Sequence, residues 1–175
     1  MHTNFLKKYY FIKRFIKNNI DKQSRNTTII YRNYNKDIDV SEARDLNSYC
    51  KEKKLKFIIS NNIELSIKLN LDGAYIPAFN SKFTHLAYKF KPNFTLIGSA
   101  HSLKEIRIKE KQKVREIFIS SLFKENKNYL GINKFKIISG YSEKKVIALG
   151  GVSKKNLNLL KLTKSVGFAG ISFFE

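Results

Sequence analysis

The chain is 175 residues long, with 34 Lys and Arg against 14 Asp and Glu and a formal charge of +20. Its single cysteine, Cys50, excludes an intramolecular disulfide framework and a cysteine-based metal site, and a reducing, cytoplasmic setting is the simplest home. No apolar run approaches the roughly 18 residues that a membrane helix needs, so no membrane partner is expected. The lysines are spread along the whole chain among Asn and Ile rather than gathered on one motif, so a nucleic-acid partner is not expected.

Short apolar runs alternate with amphipathic stretches, the signature of parallel strands joined by helical crossovers. The opening stretch carries Lys7, Lys8, Lys13, Arg14 and Lys17 with no acidic residue before Asp21. It has the charge of a targeting peptide, but Tyr9 to Ile12 reads better as a first strand. Further strands are expected at Thr27 to Arg32, Leu55 to Ser60, Gly73 to Ile76, Thr95 to Gly98, Glu116 to Ser120, Val146 to Gly150 and Gly170 to Phe174.

Asp39 with Glu42 three residues later opens a helix whose Val40, Ala43, Leu46 and Tyr49 share one face. Ser102 and Glu105 repeat the capping box, and Ser153 is expected to cap a helix carrying Leu157 and Leu160. Pro77 and Pro92 interrupt the fourth crossover, which should be a loop or a single turn. The first helix is at most short, and no residues follow the last strand to form an eighth. The expected architecture is a shortened (β/α)8 TIM-type barrel in one domain, 1–175, although a full barrel usually needs about 250 residues.

In such folds ligands bind at the carboxyl ends of the strands. The residues following the apolar runs are Arg32 and Asn33, Ser60 to Asn62, Pro77, Ser99 and His101, Ser120 and Ser121, and Gly150 and Gly151. The two glycines let a backbone approach an oxyanion, or simply make a tight turn. Arg32 suits bidentate phosphate binding, or begins a loop as a surface arginine. His101 precedes the Ser102 cap and is either an acid/base or a structural histidine; His2 and His85 lack such a setting. Carboxylates are scarce at the strand ends, so a bound Mg²⁺ would draw most of its charge from ligand phosphates.

Four segments resemble one family. Phe57 to Ile76 is similar to an "apolar strand, Asn-Asp, helix, Ala-Asp-Gly-Val-His-Leu" segment, and Leu96 to Glu105 to "Gly-x-Ser-x-His-Ser-x-x-Glu". Val146 to Val152 and Gly167 to Ile171 resemble two phosphate-side segments. These are features of the thiamine phosphate synthase and thiazole tautomerase family of small phosphate-binding barrels.

The resemblance implies condensation of hydroxymethylpyrimidine diphosphate with thiazole phosphate, with Mg²⁺ and basic residues neutralising the diphosphate. The phosphorylated pyrimidine and thiazole are the partners it implies. It places His101 in a catalytic role and Arg32, Asn61, Ser99, Lys124, Lys127, Gly150, Gly151 and Phe174 around the substrates.

The chain departs from the pattern at several points. The family's Gln-x-Arg-x-Lys stands as Ile30-Tyr31-Arg32-Asn33-Tyr34, its metal-binding Asn-Asp as Ser60-Asn61, and an acidic ligand near Ala78 to Asn80 is missing. The Thr-rich loop after strand six is reduced to Phe123 to Lys127, where Lys124 and Lys127 are the cations left to compensate. Two other readings stay open: tautomerase-like proton transfer by His101, and a catalytically silent paralogue that binds a thiamine precursor or a partner protein. The shortened barrel leaves flank for a homo-oligomeric contact.

Overall fold

Each strand pairs in parallel with the next, and β8 returns to β1, so that the sheet closes. The computed structural model describes residues 6–34 and 37–175, and His2 lies outside them. The strands are β1 (Lys7–Ile12), β2 (Thr27–Tyr31), β3 (Lys56–Ser60), β4 (Gly73–Ile76), β5 (Thr95–Ala100), β6 (Glu116–Ser120), β7 (Lys145–Leu149) and β8 (Gly167–Gly170). The helices are α1 (Lys17–Asp21), α2 (Val40–Glu52), α3 (Ile63–Lys68), α4 (Leu103–Lys111) and α5 (Gly131–Gly140). Single 3-10 segments, Thr84–Ala87 and Leu157–Leu162, serve as the crossovers after β4 and β7.

The strands read as continuous apolar runs because both of their faces are buried. Tyr9, Phe11, Ile30, Ile58, Tyr75, Ile97, Phe118, Ile147 and Ala169 point to the barrel axis. Alternate residues such as Tyr10, Ile29, Phe57 and Ile117 join the outer layer beneath the helices. Aromatic rings fill the axis, with centroids 4.9 Å apart for Tyr9 and Phe118 and 5.3 Å for Phe11 and Tyr75. The interior is a packed floor, as small side-chain-filled barrels require.

At the amino-terminal end of the barrel, the buried Glu116 carboxylate accepts from the Tyr9 phenol and pairs with the Lys7 ammonium. Burial, and then the adjacent carboxylate, raises the Tyr9 phenol's pKa. Asp72, at the same end, accepts the Phe57 N–H at 2.8 Å. These carboxylates hold the barrel together at the end opposite the strands' carboxyl termini.

Local signals explain most elements and correct three expectations. Asp39 caps α2, accepting from the N–H groups of Ser41 and Glu42. Glu42, however, accepts from the Phe15 N–H at 2.6 Å and from the Tyr31 hydroxyl, tying α2 to the segment after β1 and to β2 instead of closing a capping box. Ser153 is not a cap: Asn156 Oδ1 accepts its N–H at 2.8 Å, and a 3-10 segment follows.

The eighth strand is Gly167–Gly170 and not Gly170 to Phe174. A Cβ on Gly167 would lie 2.3 Å from the Lys7 carbonyl oxygen, so the closing strand needs a residue without a side chain there. Phe174 then packs outside the barrel, 5.3 Å from the Tyr10 ring and 5.7 Å from Phe168.

Candidate active site

At the carboxyl end of β2, Arg32 places its guanidinium carbon 4.2 Å from the Phe11 ring centre and 5.6 Å from that of Tyr34. Its N–H bonds the Ile12 carbonyl at 2.8 Å, extending the β1–β2 ladder by one step. The guanidinium thus stands over the aromatic floor of the barrel and forms no ion pair among the described residues. A half-buried cation without a carboxylate is suited to a ligand's anion.

Tyr34 and Phe79, from the segments after β2 and β4, meet edge to face at 5.4 Å. They are 49% and 67% exposed and form an aromatic lip beside Arg32. The Tyr34 hydroxyl accepts from Ser60 Oγ at 3.1 Å.

Ser99 lies within β5, which runs two residues further than the expected Gly98. It is buried and hydrogen-bonds the Tyr75 phenol, whose pKa burial pushes upward.

His101 follows β5 and contacts the end of β6. Its Nδ1 lies 3.1 Å from the Ser120 carbonyl oxygen and 3.0 Å from Ser120 Oγ. A carbonyl only accepts, so the Ser120 carbonyl contact is a hydrogen bond when Nδ1 carries a ring proton, while Ser120 Oγ can serve either role. The His101 N–H donates to Glu105 at 2.5 Å, and Ser102 caps α4 through the Glu105 N–H. The paired Ser and Glu therefore fix the histidine as well as the helix.

Gly150 and Gly151 have φ of +100° and +76°. A Cβ on Gly150 would meet Ser121 Oγ at 2.3 Å, and one on Gly151 would meet the Lys124 N at 2.6 Å. The turn is thus packed on the loop after β6, whose Phe123 and Lys124 N–H groups donate to the Gly150 carbonyl. This brings the Lys124 backbone to the glycine turn. Lys127 is exposed further along that loop, and Phe174 stands apart in the outer layer.

Asn61 adopts φ +59°, a left-handed conformation that Asn tolerates better than most residues. Its Oδ1 accepts from Asn80 Nδ2 at 2.7 Å. Both line a cleft of about 410 Å³ with Asn62, Phe79, Thr84 and Tyr88. Asn80 is anchored from below: its carbonyl accepts from Lys109 Nζ at 2.7 Å and from Gln112 Nε2 at 3.0 Å. His85, buried, bonds the Gln112 carbonyl at 2.9 Å, so it is a structural histidine. Burial lowers the Lys109 pKa to about 8.

The sequence model of the family described as "Thiamine monophosphate synthase" matches residues 13–174. The chain belongs to this family. The thiamine-phosphate synthase of Prochlorococcus marinus is 29% identical over 127 residues, covering 70% of this chain and 36% of that protein. That of Persephonella marina is 28% identical over 143 residues, covering 77% and 68%. The solved thiamine phosphate pyrophosphorylase of Pyrococcus furiosus superposes with a TM-score of 0.78 at 21% identity, covering 97% of this chain and 87% of that one.

Within the thiamine monophosphate synthase family this chain is a divergent member, and the resemblance implies Mg²⁺. Its residues are a poor fit for that ion. Where carboxylate ligands are expected, Asn61 and Asn80 bond each other as amides, above a buried ammonium 2.7 Å from the Asn80 carbonyl. Glu64 borders the cleft but is paired with Lys68. No group of three His, Cys, Asp or Glu side chains converges among the described residues. Mg²⁺ normally takes one or two carboxylates besides substrate phosphates.

Reading the strand ends from β2 onward missed two features. The run Tyr9 to Ile12 is followed by Lys13 and Arg14, which line a cleft of about 290 Å³ with Phe11, and the same rule applied to β1 finds them. The lip formed by Tyr34 and Phe79 has no sequence signal, because it depends on two loops meeting. Among the described residues no helix is long and apolar enough to cross a membrane.

Proposed function

We propose that the chain is a thiamine phosphate synthase-type transferase acting on a phosphorylated pyrimidine and a phosphorylated thiazole. The observation that carries this reading is the gathering of Arg32, Ser99, His101 and the Gly150-Gly151 turn at one barrel end, in a chain the family matches over 13–174. In the reaction the thiazole nitrogen forms a bond to the pyrimidine's exocyclic methylene carbon. The carbon–oxygen bond to diphosphate breaks, and diphosphate leaves with the electron pair.

Arg32 meets the charge that develops on the leaving group, which is where a fixed cation lowers the barrier most. The Gly150-Gly151 turn, with Lys124 beside it, holds the thiazole phosphate, and Lys127 adds long-range positive potential. The pyrimidine ring stacks on the Tyr34 and Phe79 lip, within reach of the Asn61 amide. Ser99 and His101 face the reacting centre, the latter held through Nδ1 by Ser120.

The test incubates the full chain with hydroxymethylpyrimidine diphosphate and thiazole phosphate, with and without Mg²⁺, and follows thiamine phosphate and diphosphate. Turnover should appear in the wild type and fall by about 100-fold or more in Arg32→Ala, the usual scale for losing one preorganised charge donor. A folded protein with no turnover under any condition would rule the transferase out.

A further inference from the structure

We infer that Lys13 and Arg32 form a metal-free clamp for the diphosphate group at the joined ends of β1 and β2, in the place of a divalent cation. The inference rests on the transferase reading above, and it adds Lys13 to the site.

The backbone register supplies the pairing. Phe11 is opposite Ile30, both in the axial cluster, and Ile12 is opposite Tyr31, both in the outer layer. The Arg32 N–H bond to the Ile12 carbonyl carries the ladder one step past the Ile12–Tyr31 pair, so the chain positions that follow in register are Lys13 and Arg32. Arg32 over the Phe11 ring shows that this step faces the axis. Lys13 lines the cleft of about 290 Å³ at the end of β1, together with Phe11 and Ile12.

Charge supports the same assignment. Lys13, Arg14 and Arg32 are absent from every ion pair among the described residues. One carboxylate, Glu175, borders the cleft; it lies 3.5 Å from the Tyr10 phenol, and its main-chain oxygen accepts from Lys22. Two adjacent unpaired cations match the two phosphoryl groups of a diphosphate. At the end of β3, the amide pair of Asn61 and Asn80 gives a metal little to hold, and the Lys109 ammonium behind it disfavours a second cation there.

Calorimetric titration of the full chain with inorganic diphosphate, in EDTA and then in Mg²⁺, tests the clamp. Affinity should agree within about threefold between the two. Lys13→Ala and Arg32→Ala should each weaken it by about 10-fold or more, the scale of a charge-assisted hydrogen bond. Lys134→Ala, on remote α5, should leave it unchanged. Binding that requires Mg²⁺, an unchanged Lys13→Ala, or an equal loss in Lys134→Ala would each overturn the clamp, the last by assigning binding to diffuse charge. Metal-free diphosphate binding without turnover would keep the clamp and remove the transferase reading; turnover with diphosphate binding only in Mg²⁺ would do the reverse.

Discussion

Gly151 shows how tightly a single residue is specified at the site. A side chain there would need a left-handed backbone and would meet the Lys124 N at 2.6 Å. Gly151→Ala should therefore lose about 1–3 kcal/mol in urea unfolding, and an unchanged midpoint would mean that the turn relaxes freely. Cys50 makes the opposite point. Burial, helped by the nearby Asp72 charge, pushes its thiol up to about 12, so a thiol reagent should label it only in denaturant. Labelling at the full rate in native buffer would contradict the packing of α2. Arg32, His101 and the glycine pair stand out in the sequence as candidates because each sits in a local pattern. Lys13 becomes a candidate only once β1 is paired with β2, since the proposal for it rests on its neighbour across the ladder.

At the scale of elements, α4 and the segment after β4 act together through Lys109. Its pKa lies near 8 because burial penalises the cation, so the folded chain gives up this proton at lower pH than the unfolded chain does. Stability should then rise with pH from about 8, while below that value both states are protonated and the full cost of the buried charge persists. Above the ordinary tyrosine value of 10.0 the trend should be opposed by Tyr9, whose phenol the fold keeps protonated. Lys109→Met should remove the rise, as measured by urea unfolding at about pH 7.5 and about pH 9.5; an equal rise in the variant would assign it to other groups. The strands were readable because seven of them are apolar runs rich in β-branched and aromatic residues. The eighth was displaced because Gly167-Phe168-Ala169-Gly170 is short of bulk, whereas Phe173-Phe174 looks like a strand but serves as outer packing. Glu42, expected to close a capping box, reaches Phe15 and Tyr31 instead, which no local pattern records.

For the whole molecule, the closing seam between β8 and β1 is packed from outside by Phe174, whose ring lies against Tyr10 and Phe168. Phe174→Ala should cost about 3 kcal/mol by thermal or urea unfolding, in the range for removing a buried aromatic. A change within a few tenths of a kcal/mol would show that Phe173 takes over. The seam also carries a kinetic consequence. Lys7 through Tyr10 pair with Gly167 through Gly170, almost the full chain apart, so this ladder bears the largest loop-closure cost in the barrel. The remaining strands can assemble in order with near neighbours, whereas the first strand must wait unpaired on one side until the last arrives. Substitutions at the seam should therefore accelerate unfolding far more than they slow refolding, and the lifetime of the native barrel is set where its first and last strands meet.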